Sequence, residues 1–338
     1  MERQIVIYTE GKDGPLCGLD EECIRDGGGV LRYENAADEE ERARLAESAT
    51  IMVVRSASIT ARLLSSLPRL KGLVRTGIGT DSVDLAAATQ FGVAVANAPA
   101  FCVEEVAEHA WALMFALSRK IALADRIVRS GEWPRDAGRR LGAMRRLAGR
   151  TLGVVGLGRI GRSVARRGIA LGMNVIGSDP YIQTAEIPNV ALDELLGRAD
   201  VVSLNLPLTA ETRHLINART LALCKPDALL INTSRGAVVD ERALMDALDS
   251  GRLAGAGLDV LEQEPPPSEH PLFASEKVVL TFHYASLGVE SYAQLKQDLS
   301  VQIAQMLRDE FPTYLVNREL LRMPHARLGA ATTMETGA

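Results

Sequence analysis

The chain has 338 residues, of which 47% are apolar, 24% charged and only 4% aromatic. That length exceeds one ordinary core and suits two domains, and the composition is that of a soluble globular protein with an aliphatic interior. A formal net charge of −5 argues against a polyanion binder, so no nucleic-acid partner is expected. Met1-Glu2-Arg3-Gln4 leads straight into Ile5-Val6-Ile7-Tyr8 without an apolar leader, and no apolar run is long enough to span a membrane. No membrane partner is therefore expected, and the location is read as cytoplasmic. Cys17, Cys23, Cys102 and Cys224 are scattered without a second Cys/His pair, so they read as reduced, packed thiols and no metal is expected.

Short β-branched runs alternate with helical patterns, the mark of βαβ units on parallel sheets. In the first hundred residues the predicted strands are Ile5–Tyr8, Ile51–Val54, Gly72–Arg75 and Val93–Ala96, with helices over Glu39–Glu47 and Thr60–Ser66. Val103–Ser130, free of Gly and Pro, predicts one long helix. A second series follows at Thr151–Val155, Asn174–Ser178, Val201–Asn205, Ala228–Asn232, Gly255–Asp259 and Val278–Thr281, then a helix over 293–309. The fold class is α/β with two series of units. The small, polar residues 323–338 are expected to form a loose tail.

The strand Thr151–Val155 runs into Gly156-Leu157-Gly158-Arg159-Ile160-Gly161 and then a helical run. Glycines at these three places suit a tight turn, a close backbone approach to a diphosphate, and close helix–strand packing, with the helix N-terminus offering free N–H groups. Asp179 ends the next strand, 18 residues after Gly161. It reads either as a helix cap before Pro180 or as the carboxylate that accepts from the adenosine ribose hydroxyls and repels a 2′-phosphate. Strand, glycines and spacing together favour the second reading, and with it NAD over NADP.

Three polar residues each follow a strand of the second series: Arg235, Glu264 and His283. Ligands of such sheets lie beyond the carboxyl ends of the strands. Hydride transfer to a ketone needs a proton donor, suited to His with a carboxylate partner, and a cation that grips the substrate, suited to the Arg fork. The plain alternatives are a solvated His, a turn at Arg235-Gly236 and a solvated loop at Glu264. His109, on the long helix, reads as a core or interface residue.

Leu152–Gly161, Asn232-Thr233-Ser234-Arg235-Gly236, Val239-Asp240-Glu241, Leu258-Asp259-Val260 through Glu264-Pro265, and Thr281-Phe282-His283 occur in that order. With Arg55-Ser56-Ala57, Gly77-Ile78-Gly79-Thr80-Asp81 and Glu104–His109, they resemble the D-isomer-specific 2-hydroxyacid dehydrogenases over about residues 50–315. Within that family the pattern is most similar to phosphoglycerate dehydrogenases and C-terminal-binding-protein corepressors. The resemblance implies two Rossmann-like doubly wound domains. A discontinuous, flavodoxin-like substrate domain would comprise 1–100 and 290–322, and an NAD-binding domain would be inserted over 101–289. It implies that Arg235 holds the substrate carboxylate, His283 exchanges the proton of the C2 oxygen, and Glu264 stabilises the charged imidazole. NAD would contact Gly156, Gly158, Arg159, Ile160, Gly161, Asp179, Leu206, Pro207, Thr212, Thr233, Asp259 and His283. Arg55, Arg75, Gly77, Ile78 and Gly79 would join Arg235 on the substrate, a small 2-hydroxy or 2-oxo acid. A homodimer is implied as well. Two departures stand out: Phe282 where the family commonly has Pro, and Asn205 where His is common.

Trp133–Arg146 carries five arginines. They suggest either a second anionic group on the substrate, such as phosphate or phosphonate, or solvated residues and pairs across a dimer. The last residues, 315–338, are too few for the regulatory domain that phosphoglycerate dehydrogenases often carry. Competing readings are an NAD-sensing corepressor-like protein and a phosphite- or formate-type dehydrogenase on the same fold.

Overall fold

The computed structural model describes residues 3–11 and 18–329. The chain divides into two compact units, one made of residues up to Phe101 and from Gly288 onward, the other of Cys102–Leu287.

The first unit is a five-stranded parallel sheet of β1 (Gln4–Tyr8), β2 (Gly29–Tyr33), β3 (Ile51–Val54), β4 (Gly72–Arg75) and β5 (Ala94–Ala96), ordered β2-β1-β3-β4-β5. That order is flavodoxin-like, and its crevice opens where β1 and β3 diverge in connection. Helices α1 (Glu21–Asp26), α2 (Glu39–Ala46), α3 (Ala61–Ser65) and α4 (Leu85–Gln90) connect the strands. Asp20, Asp38, Thr60 and Asp84 start them by accepting from free backbone N–H groups of the first turns. All of β3 is buried, and Ile7, Met52, Val54, Leu63, Leu73 and Val95 share one core. Sequence patterning missed β2. It is an edge strand, half exposed and carrying Arg32, so it shows no continuous apolar run.

The second unit is a six-stranded parallel sheet of β6 (Thr151–Val155), β7 (Asn174–Ser178), β8 (Val201–Leu204), β9 (Leu229–Asn232), β10 (Gly255–Leu258) and β11 (Val278–Leu280). Its order, β11-β10-β9-β8-β6-β7, puts the switch point beside β6. The helices are α5 (Val103–Ser118), α6 (Ile121–Arg129), α7 (Ala137–Leu141), α8 (Arg159–Ala170), α9 (Leu192–Arg198), α10 (Ala218–Leu221) and α11 (Glu241–Asp249).

The long helix expected over Val103–Ser130 is two helices. The chain breaks at Lys120, which takes a left-handed φ of 53° without being glycine, and its Nζ donates to Leu141 O. The cause is the surface beneath. α5 buries Ala107, Ala110, Trp111, Leu113 and Met114, whereas α6 buries only Ile127. The apolar sheet surface ends near Leu117, and the helix turns off it.

The chain then re-enters the first unit in α12 (Val289–Leu307), which lies over β3 and β4 and starts a few residues before the expected 293. The expectation of a loose tail from 323 is corrected for its described part. Arg327 Nη1 donates to Leu67 O at 2.9 Å and Leu70 O at 2.6 Å, and Leu328 is buried. The rest of that stretch, 330–338, lies outside the described residues. Burial pushes the thiols of Cys102 and Cys224 up to about 12 and about 11, so neither is a nucleophile near neutral pH. Cys17 lies outside the described residues. Among the described residues no helix is long and apolar enough to cross a membrane, and no group of three or more His, Cys, Asp or Glu could hold a metal ion.

Candidate active site

In the second unit β6 delivers the chain to the glycine turn. Gly156 has φ +87°, and a Cβ there would lie 2.3 Å from Asn205 O; at Gly161 it would lie 1.9 Å from Gly156 O. Only glycine fits either place. A Cβ on Gly158 would meet nothing within 4 Å, so this residue lies against open space, and it starts α8 with no side-chain cap. Turn and uncapped helix leave backbone N–H groups free for an anion. Exposed Arg159 and half-buried Ile160 form the first helical turn.

Other features at this sheet edge fit a dinucleotide. Asn205 Oδ1 and Thr233 Oγ1, just beyond β8 and β9, are buried and have no hydrogen-bond partner among the described residues. Such atoms call for a polar visitor. Leu206 and Pro207 follow directly, and Thr212 closes that loop by donating to Pro207 O at 2.7 Å.

Asp179 does more than the ribose reading required. One oxygen accepts from Leu157 N at 2.8 Å, and the other from Tyr181 N and Ile182 N at 2.8 and 2.9 Å. The carboxylate thus ties the glycine turn to the loop after β7, and because no helix starts at Pro180 it is not a helix cap.

Arg235, Glu264 and His283 come from three neighbouring strand ends. Asn232 folds the first turn: its Oδ1 accepts from Ser234 N and Oγ, and its Nδ2 donates to Arg235 O at 2.9 Å. Arg235 is half-buried, with Nη1 donating to Ser234 O at 2.7 Å. His283 Nδ1 lies 2.5 Å from Glu264 Oε2. A carboxylate there holds the proton on Nδ1 and leaves Nε2 to exchange a proton with a ligand. Burial pushes the Glu264 carboxyl up, but His283, the Leu261 amide and Arg235 together outweigh it and hold the group below its ordinary range.

Asp259 is the hub beneath this pair. His283 has φ 55°, a left-handed turn that costs a non-glycine residue of order 1 kcal/mol or more. It is held by His283 N donating to Asp259 O at 2.7 Å. Tyr284 N and Ala285 N donate to the Asp259 carboxylate at 3.1 and 3.0 Å. Thr281 Oγ1 also donates to Asp259, at 2.6 Å, and its oxygen lies 2.9 Å from His109 Nε2. Burial holds His109 below its ordinary value against the pull of Asp259. Asp259, expected to contact NAD, thus has both oxygens engaged in fixing the His283 turn. The sequence offered no sign of this, because its partners are 22 to 26 residues away. Phe282, where the family commonly has Pro, is exposed, and its ring lies tilted against Tyr284 with centroids 4.8 Å apart.

The first unit gathers the other expected residues at the carboxyl edge of its own sheet. Glu10, past β1, accepts from Arg55 N and from Ser56 N and Oγ, past β3. Arg75 lies across Gly77, where a Cβ would meet its Nη1 at 2.6 Å, and Asn97 Nδ2 donates to Ile78 O at 2.7 Å, shaping the turn that leads to Gly79.

Of the five arginines in Trp133–Arg146, two pair with carboxylates among the described residues. Arg145 is 3.1 Å from Asp227 and Arg140 is 3.8 Å from Glu276. They help line a cavity of about 390 Å³ at the amino edge of the second sheet, away from His283.

The sequence over 111–285 matches the D-isomer specific 2-hydroxyacid dehydrogenase, NAD binding domain. The chain belongs to the D-isomer specific 2-hydroxyacid dehydrogenase family. It is similar to the D-3-phosphoglycerate dehydrogenase of Methanocaldococcus jannaschii, with 38% identity over 308 residues, covering 89% of this chain and 57% of the relative. The chain thus spans little more than half the length of that relative. Similarity to the glyoxylate reductase of Korarchaeum cryptofilum, at 39% identity over 270 residues, covers 78% of this chain and 81% of the relative. Among solved structures, D-lactate dehydrogenase from Aquifex aeolicus, complexed with NAD and lactic acid, has a TM-score of 0.80 at 29% identity over 94% of this chain and 97% of its own. As a member of this family, the chain carries an NAD-binding domain, and the Gly156–Gly161 turn lies within it.

Proposed function

We propose that this chain interconverts a small 2-oxo acid and its D-2-hydroxy acid with NAD, as an enzyme and not as a cofactor sensor. The observation that carries this is the His283 Nδ1–Glu264 Oε2 contact at 2.5 Å at a strand edge shared with Arg235. An intact acid–base pair beside Arg235 favours turnover over cofactor sensing alone. The second unit is read as the NAD domain and the first as the substrate domain. Cytoplasmic action without nucleic acid, and a homodimer, belong to the same reading.

NAD, when bound, supplies or accepts the hydride at C2. Arg235 grips the substrate carboxylate and draws electron density toward the C2 oxygen. In reduction, His283 Nε2 gives its proton to that oxygen, while Glu264 balances the charge before the transfer. In oxidation Nε2 takes the proton back. Glyoxylate fits the name of one relative, and the internal pairing of Arg140 and Arg145 leaves less of the arginine segment free for a phosphate.

The test is turnover of glyoxylate, pyruvate and phosphorylated 2-oxo acids with NADH and NADPH. Wild type should oxidise NADH in preference to NADPH. His283→Ala should lose roughly a hundredfold or more in kcat and still bind NADH. Unchanged turnover in His283→Ala would overturn the acid–base assignment.

A further inference from the structure

We propose that Glu241 and Glu262 form a clamp that positions Glu264 against His283, making both of them positioning residues of this enzyme. The inference rests on the acid–base reading of that pair.

Glu241 opens α11 and Glu262 sits in the loop two residues before Glu264. They exchange bonds reciprocally: Glu241 N donates to a Glu262 oxygen at 2.9 Å, and Glu262 N donates to Glu241 Oε1 at 2.6 Å. Two carboxylates that only shared space would repel each other. Here each is stabilised by the other residue's amide. The second Glu241 oxygen lies 3.1 Å from His270 Nε2, both side chains being largely buried. His270 Nδ1 accepts from Leu272 N at 3.4 Å, which leaves the ring proton on Nε2 to donate to Glu241. His214 Nε2 stands 3.3 Å from Glu262 Oε2, at ion-pair distance but without hydrogen-bond geometry.

The loop is pressed from its other side as well. Gly236, next to Arg235, has the backbone of Leu261 and Glu262 where a Cβ would stand, with Leu261 C only 1.9 Å from that point. Within the pinned loop, Leu261 N donates to Glu264 Oε1 at 3.0 Å and the other oxygen faces His283. The clamp therefore sets the depth and angle at which Glu264 meets the imidazole, and it holds the Arg235 turn against the same loop.

The test follows the Glu264 carboxyl by carbon NMR in wild type, Glu241→Ala and Glu241→Gln, with Glu264→Gln giving the assignment. Gln keeps an oxygen for the Glu262 amide; Ala does not. In Glu241→Ala the Glu264 titration should move up toward that of an ordinary glutamate, and kcat should fall roughly tenfold or more with KM for NADH unchanged. In Glu241→Gln the titration should stay with wild type. Glu262→Ala, which removes the other half of the exchange, should match Glu241→Ala. A wild-type Glu264 titration in folded Glu241→Ala, or equal displacement in the Ala and Gln variants, would overturn the clamp. Full activity in His283→Ala would instead sink the acid–base reading, and the NMR result stands apart from it.

Discussion

At the scale of single residues the site is governed by which groups hold which protons. Glu264 is depressed below its ordinary carboxylate value of 4.5 because His283, the Leu261 amide and Arg235 outweigh the effect of burial. Glu10, which holds the Arg55–Ser56 turn, and Asp200 are lowered for similar reasons. In each case the unfolded chain takes up its proton at a higher pH than the folded one. Acid then favours unfolding, and the stability these groups contribute is present above the ordinary carboxylate value and fades as the pH falls through the folded one. Urea denaturation from pH 7 to about 3 should show stability dropping through the carboxylate range. Glu264→Gln should flatten part of that drop, and an equally steep decline in the variant would mean that Glu264 gains nothing from its partners. Arg235, Glu264 and His283 were legible as candidates because each follows a strand of the second series, but their roles came from the family resemblance and not from spacing. The hub role of Asp259 and the Glu241–Glu262 exchange were not legible. Both depend on hydrogen bonds between residues about twenty apart, and neither residue type nor spacing marks them.

At the scale of elements, the turn between β6 and α8 converts sequence directly into a binding surface. A Cβ on residue 161 would sit 1.9 Å from Gly156 O, so Gly161→Ala must push helix and strand apart. Close packing gives little room, and overpacking of this kind typically costs about 1–3 kcal/mol. On the proposed reading, the same displacement moves the free N–H groups away from the diphosphate. The variant should therefore lose both melting temperature and NADH affinity, read by calorimetry and fluorescence titration. Wild-type affinity in Gly161→Ala would show that the turn does not carry the cofactor. Strands buried on both faces were readable because most form short, continuous apolar runs. Edge strand β2 lacked such a run, and the break between α5 and α6 has neither Gly nor Pro to announce it. Lys120 adopts its left-handed turn because the apolar sheet surface beneath α5 stops, a tertiary cause that local propensity does not record.

At the scale of the whole molecule, two parallel-sheet units are built from a chain that leaves the first unit after Phe101 and rejoins it at Gly288. The two strand series were visible in the sequence; the rejoining was implied only by the family resemblance, because α12 differs from any other amphipathic helix only in what it packs against. The surface of the second unit carries the remaining clue. Phe115, Ile121, Val128 and Trp133 are 39%, 55%, 47% and 82% exposed within one short stretch of chain, an unusual density of large apolar side chains left in water. A homodimer using this stretch would bury each of them twice, since a twofold interface repeats every contact. Burying an aliphatic side chain is worth about 1.5–3 kcal/mol, so placing charges at two such positions should weaken association by at least roughly a thousandfold. Wild type should sediment at twice the 36.4 kDa chain mass, and the Ile121→Asp, Val128→Asp double variant should sediment as a folded monomer at micromolar concentration. A monomeric wild type would remove the dimer from the proposal. A double variant still dimeric would move the interface to another face. Neither result would disturb the acid–base pair, whose members all lie within one chain.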